Sequence, residues 1–492
     1  MIPLSVAQVA QATGARLADV PDPGVLVTGP VVIDSREAEP GSLFAALPGT
    51  RTDGHEFAAA ALAAGAAAVL ATKPVGGPAL IVPDVPAALG KLARAVIDRT
   101  AGLTVIGITG SAGKTTTKDL TAQLVETLGP TVAPRNSFNN EIGHPLTVLK
   151  VTAQTRYLIS ELAARGPGHI TELCQIAPPR LGAVLCVGHA HAGEFGGLDR
   201  IAEAKGELPA ALPADGVAVL NADDHRVAAM AARTRARVVT FGRSPGADVR
   251  AVQVTLDDLG RARFTLEAPD GSAPVRLQLH GEHHVYNALA AAALTSQLGL
   301  PVAEIGAGLS AAVARSRWRM EVTQLSNGVT VINDAYNANP DTVRAALAAL
   351  AVMARGGRSF AVLGHMTELG EDAGRLHEEV GAAAARAGLA GLVVVGEEAA
   401  PILSGAKAVP GWQGELVSVP DAAAAVRAIR DRQRTGDFVL VKASHSIGLE
   451  RVALALTGER PLPEGSAAQP GGSAAQQDAQ RGLPADVGGR SS

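Results

Sequence analysis

At 492 residues, with 43 Lys and Arg set against 47 Asp and Glu for a net charge of −4, the chain exceeds one ordinary core and predicts about three domains. The charges are interspersed, without the basic stripe that displaces counterions from a phosphate polymer, which argues against a nucleic-acid partner. Two cysteines, Cys174 and Cys186, offer no disulfide framework and fit a reducing, cytoplasmic setting with both thiols free.

The first residues, MIPLSVAQVAQATGARL, lack a basic segment followed by an apolar block. Their spacing predicts a short amphipathic helix, so no secretion signal is expected. From there to residue 98, short apolar strands (VLVTGPVVID, AAAVLA, ALIVP) alternate with helical stretches that end in LARAVIDRT, the pattern of a small α/β domain. The alanine-rich run 58–70 is broken by Gly65 and is too weakly apolar for a bilayer crossing of ~20 strongly apolar residues. It reads as a small-residue helix packed on a sheet, and no membrane insertion is expected.

A second unit opens at LTVIGITG, a continuous apolar run that reads as a buried parallel strand feeding a loop and a helix. Strands are expected again at RLGAVLCVG, GVAVLNADD and RVVTFG. Between 247 and 280 the pattern changes to polar–apolar alternation around a turn at Asp270-Gly271, an antiparallel excursion before a helix starting near Val285. This domain is expected to span 99–315. Over 316–460 the strands VTVIND, SFAVLGHM, GLVVVGEE and DFVLVKAS are separated by helices such as DTVRAALAALAVMAR, a third α/β domain. Residues 461–492 hold almost no large apolar side chain and are expected to form a disordered tail.

Thr109-Gly110-Ser111-Ala112-Gly113-Lys114-Thr115-Thr116 lies between the buried strand and a helix expected from Thr116. In that context it reads as a phosphate loop for ATP. Gly110 and Gly113 let backbone N–H groups approach phosphate oxygens, the helix points its positive end at the anion, and Lys114 adds charge. Thr115 is placed to coordinate Mg²⁺ through its hydroxyl. The strict Walker pattern wants glycine where Ile108 stands, so an ordinary glycine turn capping a helix is the alternative.

The variant G-x-x-G-K-T-T resembles the Mur ligase family, and other segments narrow the match. They are NSFNNEIG at 136–143 with Pro145, NDAYNANP at 333–340, DSR at 34–36, DGH at 53–55, AHAGEFGG at 190–197, AKGE at 204–207, RME at 319–321 and VLVKAS at 439–444. Together the resemblance covers residues 1–457. It implies a cytoplasmic, ATP-dependent carboxylate–amine ligase of peptidoglycan synthesis, of the branch that adds D-alanyl-D-alanine to UDP-N-acetylmuramoyl-tripeptide. The implied fold has three α/β domains: a small N-terminal UDP-binding domain, a central P-loop domain with a parallel sheet, and a C-terminal Rossmann-like domain. The implied cofactors are ATP and Mg²⁺, and a monomer is expected. The chemistry agrees, because a carboxylate has no usable leaving group until ATP phosphorylates it, and phosphoryl transfer calls for charge neutralisation and positioning rather than a protein nucleophile.

By resemblance, Thr115 and Glu161 hold one Mg²⁺, and His191 with a carbamylated Lys205 helps place a second. Taken alone, Glu161 reads as a solvated carboxylate at a helix start and Lys205 as a solvated lysine in a charged helical stretch. Zinc on His189 and His191 is conceivable, but oxygen ligands around Mg²⁺ suit a phosphate site better. Asn287, Arg319 and Asp334 are implied as adenosine contacts. His284 stands where the family pattern GxHNxxN has Asn, and reads equally as a polar residue at a helix start.

Asp34, Ser35, Arg36, Asp53, Gly54 and His55 are implied to meet the UDP group. Turn-forming roles for Asp34 and Gly54, and a surface ion pair for Arg36, are as good a reading. Asn139 and Asn140 offer amides to the peptide stem, or cap a loop. Tyr336, Asn337, Asn339 and Lys442 are further substrate candidates, Lys442 being otherwise a buried structural lysine near a strand end. The family commonly has Asp where this chain has His365 and Arg where it has His445. Two other readings stay open: a different amino-acid ligase of the same family, and a P-loop protein that senses nucleotide without forming an amide.

Overall fold

The computed structural model describes residues 1–49, 52–134, 137–189 and 192–460, so His191 and the expected tail at 461–492 lie outside the described residues. The opening helix forms as its spacing predicts, over Val6–Thr13. Ser5 and Gln8 make a reciprocal capping box, Gly14 closes the far end in the left-handed region, and Val6, Val9 and Ala10 are buried.

The fold is α/β throughout. A five-stranded sheet runs Arg16–Ala18, Ala79–Ile81, Ala68–Ala71, Leu43–Ala45, Val31–Val32, parallel except at its first pair. The segment VLVTGPVVID holds two short strands, Leu26–Val27 and Val31–Val32, in place of one. Pro30 between them has no N–H to give a ladder.

A nine-stranded sheet follows in the order Gly271–His280, Arg261–Ala268, Val249–Leu256, Arg237–Gly242, Val217–Asn221, Leu181–Val184, Thr104–Thr109, Tyr157–Glu161, Thr131–Val132. Its parallel part is buried on both faces, every residue of Leu181–Val184 and Val217–Asn221 being buried. The antiparallel strand Gly271–His280 instead alternates buried and exposed residues, as the sequence alternation predicts. A six-stranded sheet, Glu321–Gln324, Thr330–Asn333, Phe438–Lys442, Ser359–Gly364, Gly391–Val395, Glu415–Val419, is parallel after its first pair and carries helices on both faces. Strands Tyr157–Glu161 and Glu415–Val419 were not among the sequence expectations.

The first sheet and the central sheet share one core. Leu89, Leu92 and Val96 of the helix Val85–Asp98 pack with Val105, Leu146, Val148 and Leu158. Full burial of such side chains is worth ~1.5–3 kcal/mol each, which holds the two units together by apolar packing. Among the described residues no helix is long and apolar enough to cross a membrane. Cys174 and Cys186 are both free thiols.

Candidate active site

The parallel strands Thr104–Thr109 and Tyr157–Glu161 lie side by side, with Ile108 in register with Glu161, so the loop after one strand opens beside the carboxylate ending the other. The loop following Thr330–Asn333 faces them from the third sheet, and a cavity of about 470 Å³ lies between. Ligands of open α/β sheets bind at such carboxyl ends of strands.

Residues Ser111 to Thr116 line this cavity. The helix begins at Lys114, earlier than expected, on Gly113 (φ +81°), and no side chain caps its first N–H groups. Those donors face the cleft, as an anion site requires. A Cβ on Gly113 would sit 2.3 Å from Asn287 Oδ1, so only glycine lets the loop pass beneath that side chain. Lys114 Nζ donates to Gly110 O at 2.8 Å. Burial lowers its pKa, and the charge of Glu161 opposes that shift.

Thr115 Oγ1 donates to Glu161 Oε2 at 2.9 Å and lies 2.9 Å from Ser137 Oγ. Asn139 Nδ2 donates to Glu161 Oε1 at 2.7 Å. From the third domain's entry segment Arg319 donates to Thr115 Oγ1 at 2.7 Å and Ser137 Oγ at 2.9 Å, its guanidinium 4.1 Å over the Tyr336 ring. Glu161 is therefore no solvated helix-start residue. It ends a central strand and is 1% exposed. Two hydroxyls and a carboxylate beside an uncapped helix N-terminus are hard oxygen donors, the set that suits Mg²⁺.

Lys205 also departs from the solvated reading. It closes the helix Leu198–Lys205 and is 4% exposed, and burial chiefly, with Lys114 next, lowers its pKa to about 7. It does not line the cavity, and the ammonium of Lys114 is felt there as a repelling charge. His189 donates its backbone N–H to Asp341 Oδ2 at 3.0 Å, and its Nδ1 lies 3.1 Å from the same oxygen. This ties the segment leading to His191 to the first turn of the helix Pro340–Met353.

On the other side of Gly113, Asn287 Nδ2 donates to His284 Nδ1 at 3.0 Å on the helix His284–Ser296. His283 lines the same cavity, and burial lowers its pKa to about 4. Asp334 accepts from Met320 N at 3.0 Å and from Lys442 Nζ at 2.6 Å. Lys442 Nζ also donates to Asp334 O at 3.3 Å and Asn337 O at 2.8 Å. Its three N–H donors thus meet three protein acceptors, and the lysine serves to tie the 334–337 turn to the end of Phe438–Lys442. Tyr336 stacks on His445 at 5.2 Å. Asn339 caps the helix Pro340–Met353 in a box with Thr342. Asn140 caps its own loop, accepting from Gly143 N at 2.8 Å.

Against this geometry, the family models for the Mur ligase family catalytic domain, the Mur ligase middle domain and the Mur ligase glutamate ligase domain match residues 30–96, 108–295 and 318–445. A relative from Mycobacterium tuberculosis named UDP-N-acetylmuramoyl-tripeptide–D-alanyl-D-alanine ligase is 50% identical, over 93% of this chain and 98% of its own length. The chain belongs to the Mur ligase family. Among solved structures this Mur ligase is similar to MurF from Acinetobacter baumannii, at TM-score 0.83 and 33% identity over 93% of this chain and 99% of that one. It is also similar to MurF from Thermotoga maritima in complex with ADP, at TM-score 0.76 and 31% identity over 88% and 98% of the two chains.

The N-terminal candidates of this Mur ligase do not line the cavity. Asp34 caps the turn Ser35–Glu37 and pairs with Arg36 at 2.5 Å. Asp53 caps Gly54–Phe57, pairs with Lys73 at 2.9 Å and meets His55 Nδ1 at 2.5 Å. The backbone N–H of His55, then its ring, hold the Asp53 carboxyl far below its usual range. A Cβ on Gly54 would lie 2.6 Å from Leu47 O, so that glycine is required by packing. The turn-forming roles left open by the sequence are thus occupied here.

Sequence reasoning quoted Ser137 within its motif without giving it a role, yet its hydroxyl joins the Thr115 and Arg319 cluster. It passed over Asp341 and Glu368, both of which line the cavity. Glu368 has left-handed backbone at φ +66°, a conformation unusual outside glycine. Its nearness to His365, where the family pattern commonly has Asp, is the one sequence signal beside it.

Proposed function

We propose that this Mur ligase joins D-alanyl-D-alanine to UDP-N-acetylmuramoyl-tripeptide in the cytoplasm, forming the pentapeptide precursor of peptidoglycan. The observation that carries the reading is the Thr115–Glu161 contact at the mouth of an uncapped phosphate loop, with Arg319 of the facing domain donating to the Thr115 and Ser137 hydroxyls. That grouping gathers two cations and a carboxylate where phosphoryl transfer needs charge balance.

The γ-phosphate of ATP rests against the N–H groups of 111–115 and Lys114. The terminal carboxylate of the tripeptide attacks it in line, the bond to ADP breaks, and an acyl phosphate forms. The neutral amine of D-alanyl-D-alanine then attacks the acyl carbon, the tetrahedral adduct expels phosphate, and the nitrogen loses a proton. Thr115 and Glu161, with Ser137 alongside, would hold Mg²⁺, which would neutralise phosphate charge there. Lys205, carrying substantial neutral amine near pH 7, is suited to take up CO₂ as an anionic carbamate, which with His191 would hold a second ion. Asn287, Arg319 and Asp334 face the nucleoside, Asn139 holds Glu161 in place, and Tyr336 backs Arg319.

In this reading residues 1–98 bind the UDP end through the exposed Arg36, with His55 holding the neighbouring turn, 99–315 bind ATP, and 316–460 receive the dipeptide, the chain acting as a monomer. Incubating the purified chain with ATP, Mg²⁺, UDP-N-acetylmuramoyl-tripeptide and D-alanyl-D-alanine tests it. Mass analysis is expected to find UDP-N-acetylmuramoyl-pentapeptide and ADP in equal amounts. ADP release without pentapeptide would overturn the reading.

A further inference from the structure

A second cavity, of about 380 Å³, opens at the carboxyl ends of three neighbouring strands of the third sheet, Ser359–Gly364, Gly391–Val395 and Glu415–Val419. That volume lies in the ~300–1,000 Å³ range of small-molecule sites, and the position is the ligand-binding end of an open α/β sheet. The cavity backs onto the reaction cleft through two shared loops. His365 lines it while Thr367 and Glu368 line the cleft, and Ile447 lines it while His445 and Ser446 line the cleft.

Its polar groups are of two opposite kinds. Nδ1 of His365 lies 3.3 Å from the carbonyl of Glu398, which only accepts, so this nitrogen carries the proton and Nε2 of the neutral ring is an acceptor. The ring stacks at 4.8 Å on His377, itself held by Met366 N and Ala373 O. Asp421 Oδ1 accepts from Ala424 N at 2.8 Å, and Asp421, Glu397 and Glu398 line the cavity without an ion pair among the described residues. Against these acceptors stands Arg451, whose Nε donates to Gly448 O at 3.0 Å. Its guanidinium lies over that bare glycine, where a Cβ would sit 3.0 Å from Nη2, and no carboxylate pairs with it among the described residues. Val395 and Leu449, both buried, add apolar wall.

A simple anion would face three carboxylates here, and a simple cation would meet an unpaired guanidinium. A ligand that satisfies the whole set carries an ammonium for the acceptors, a carboxylate for the fork of Arg451, and small apolar groups between them. We infer that this cavity is a second ligand site, for a zwitterionic amino acid or short peptide with small apolar side chains. The site is read from its own residues and does not depend on the reaction assigned to the cleft.

Equilibrium dialysis of radiolabelled D-alanyl-D-alanine against the full chain tests it through binding alone. One equivalent of bound dipeptide is expected to disappear in Arg451→Gln, which removes the fork, and in Ala423→Phe, which fills the cavity and leaves its charges in place. D-alanyl-D-alaninamide and N-acetyl-D-alanyl-D-alanine each lack one of the two charges. Both are expected to compete for that equivalent more than about tenfold more weakly than the dipeptide, the scale of one lost charged hydrogen bond. Circular dichroism identifies which variants are folded, and binding by either folded variant equal to that of the wild type would overturn the proposal. Equal competition by the two blocked dipeptides would overturn it as well. Absence of ligation in the assay above, with this equivalent still bound, would overturn the reading of the cleft and leave the second site standing.

Discussion

The hydroxyl of Thr115 and the carboxylate of Glu161, 46 residues apart in sequence, meet at 2.9 Å because their strands are parallel neighbours in register. If they share a metal ion, Glu161→Gln keeps the shape and removes the charge. The Mg²⁺ concentration that half-saturates ligation is then expected to rise roughly 10–100-fold, the range seen when metal-site groups are altered. An unchanged Mg²⁺ requirement would count against the shared site.

Lys114 projects from the first helical residue, and its Nζ donates to the loop's own Gly110 carbonyl. Lys114→Ala is expected to reduce kcat/KM by more than ~10²-fold, since a donor aimed at developing charge is worth that much. Steady-state ligation rates measure it, and near-normal activity would contradict the loop assignment.

With its pKa lowered to about 7, the neutral amine of Lys205 becomes the major form as pH rises through that value. Only the neutral amine adds CO₂, so a carbamate is expected to grow between pH 6 and 8. Carbon-13 spectra in labelled bicarbonate are expected to show a carbamate signal that Lys205→Ala lacks. A spectrum identical for the two proteins would remove the carbamate from the mechanism.

His144 is 1% exposed, and burial lowers its pKa to about 4. Because the folded value lies below that of the unfolded chain, the unfolded state takes up the proton first as pH falls. Stability is thus retained above about 6.5 and lost toward 4, with roughly 2 kcal/mol gone by pH 5. Denaturant midpoints at pH 7 and pH 5 are expected to diverge less in His144→Phe than in the wild type. Equal divergence would place the acid sensitivity elsewhere.

Asp341 and Arg319 reach from the third domain to His189 and Thr115 of the second, so both halves of the cleft are needed to build it. Binding of ATP analogue and tripeptide is expected to compact the molecule in small-angle scattering. No change in radius of gyration on adding both ligands would argue against closure.

Much of this was legible in sequence. The run LTVIGITG followed by Gly110–Thr115 reads as a buried strand feeding a glycine loop and a helix, and all three form. Glu161 was harder, because the strand YLISE ends in a charge that looks solvated until a parallel neighbour buries it. Lys205 hides in a helix whose charged neighbours Asp199, Arg200 and Glu203 suggest a surface, although the helix turns that one residue inward. Lys442 reads as a substrate contact until the folded turn at 334–337 supplies acceptors for all three of its protons. The boundary near residue 98 marks a change of sheet, yet the helix Val85–Asp98 packs into the next unit, a tertiary choice that local pattern does not encode.

The proposed reaction requires transfer of a phosphoryl group to the tripeptide carboxylate before the amide forms. Labelling both oxygens of that carboxylate with oxygen-18 and analysing the released phosphate by mass tests this directly. One labelled oxygen in each phosphate is the expected result, and phosphate free of label would contradict the acyl phosphate and the role given to this cleft.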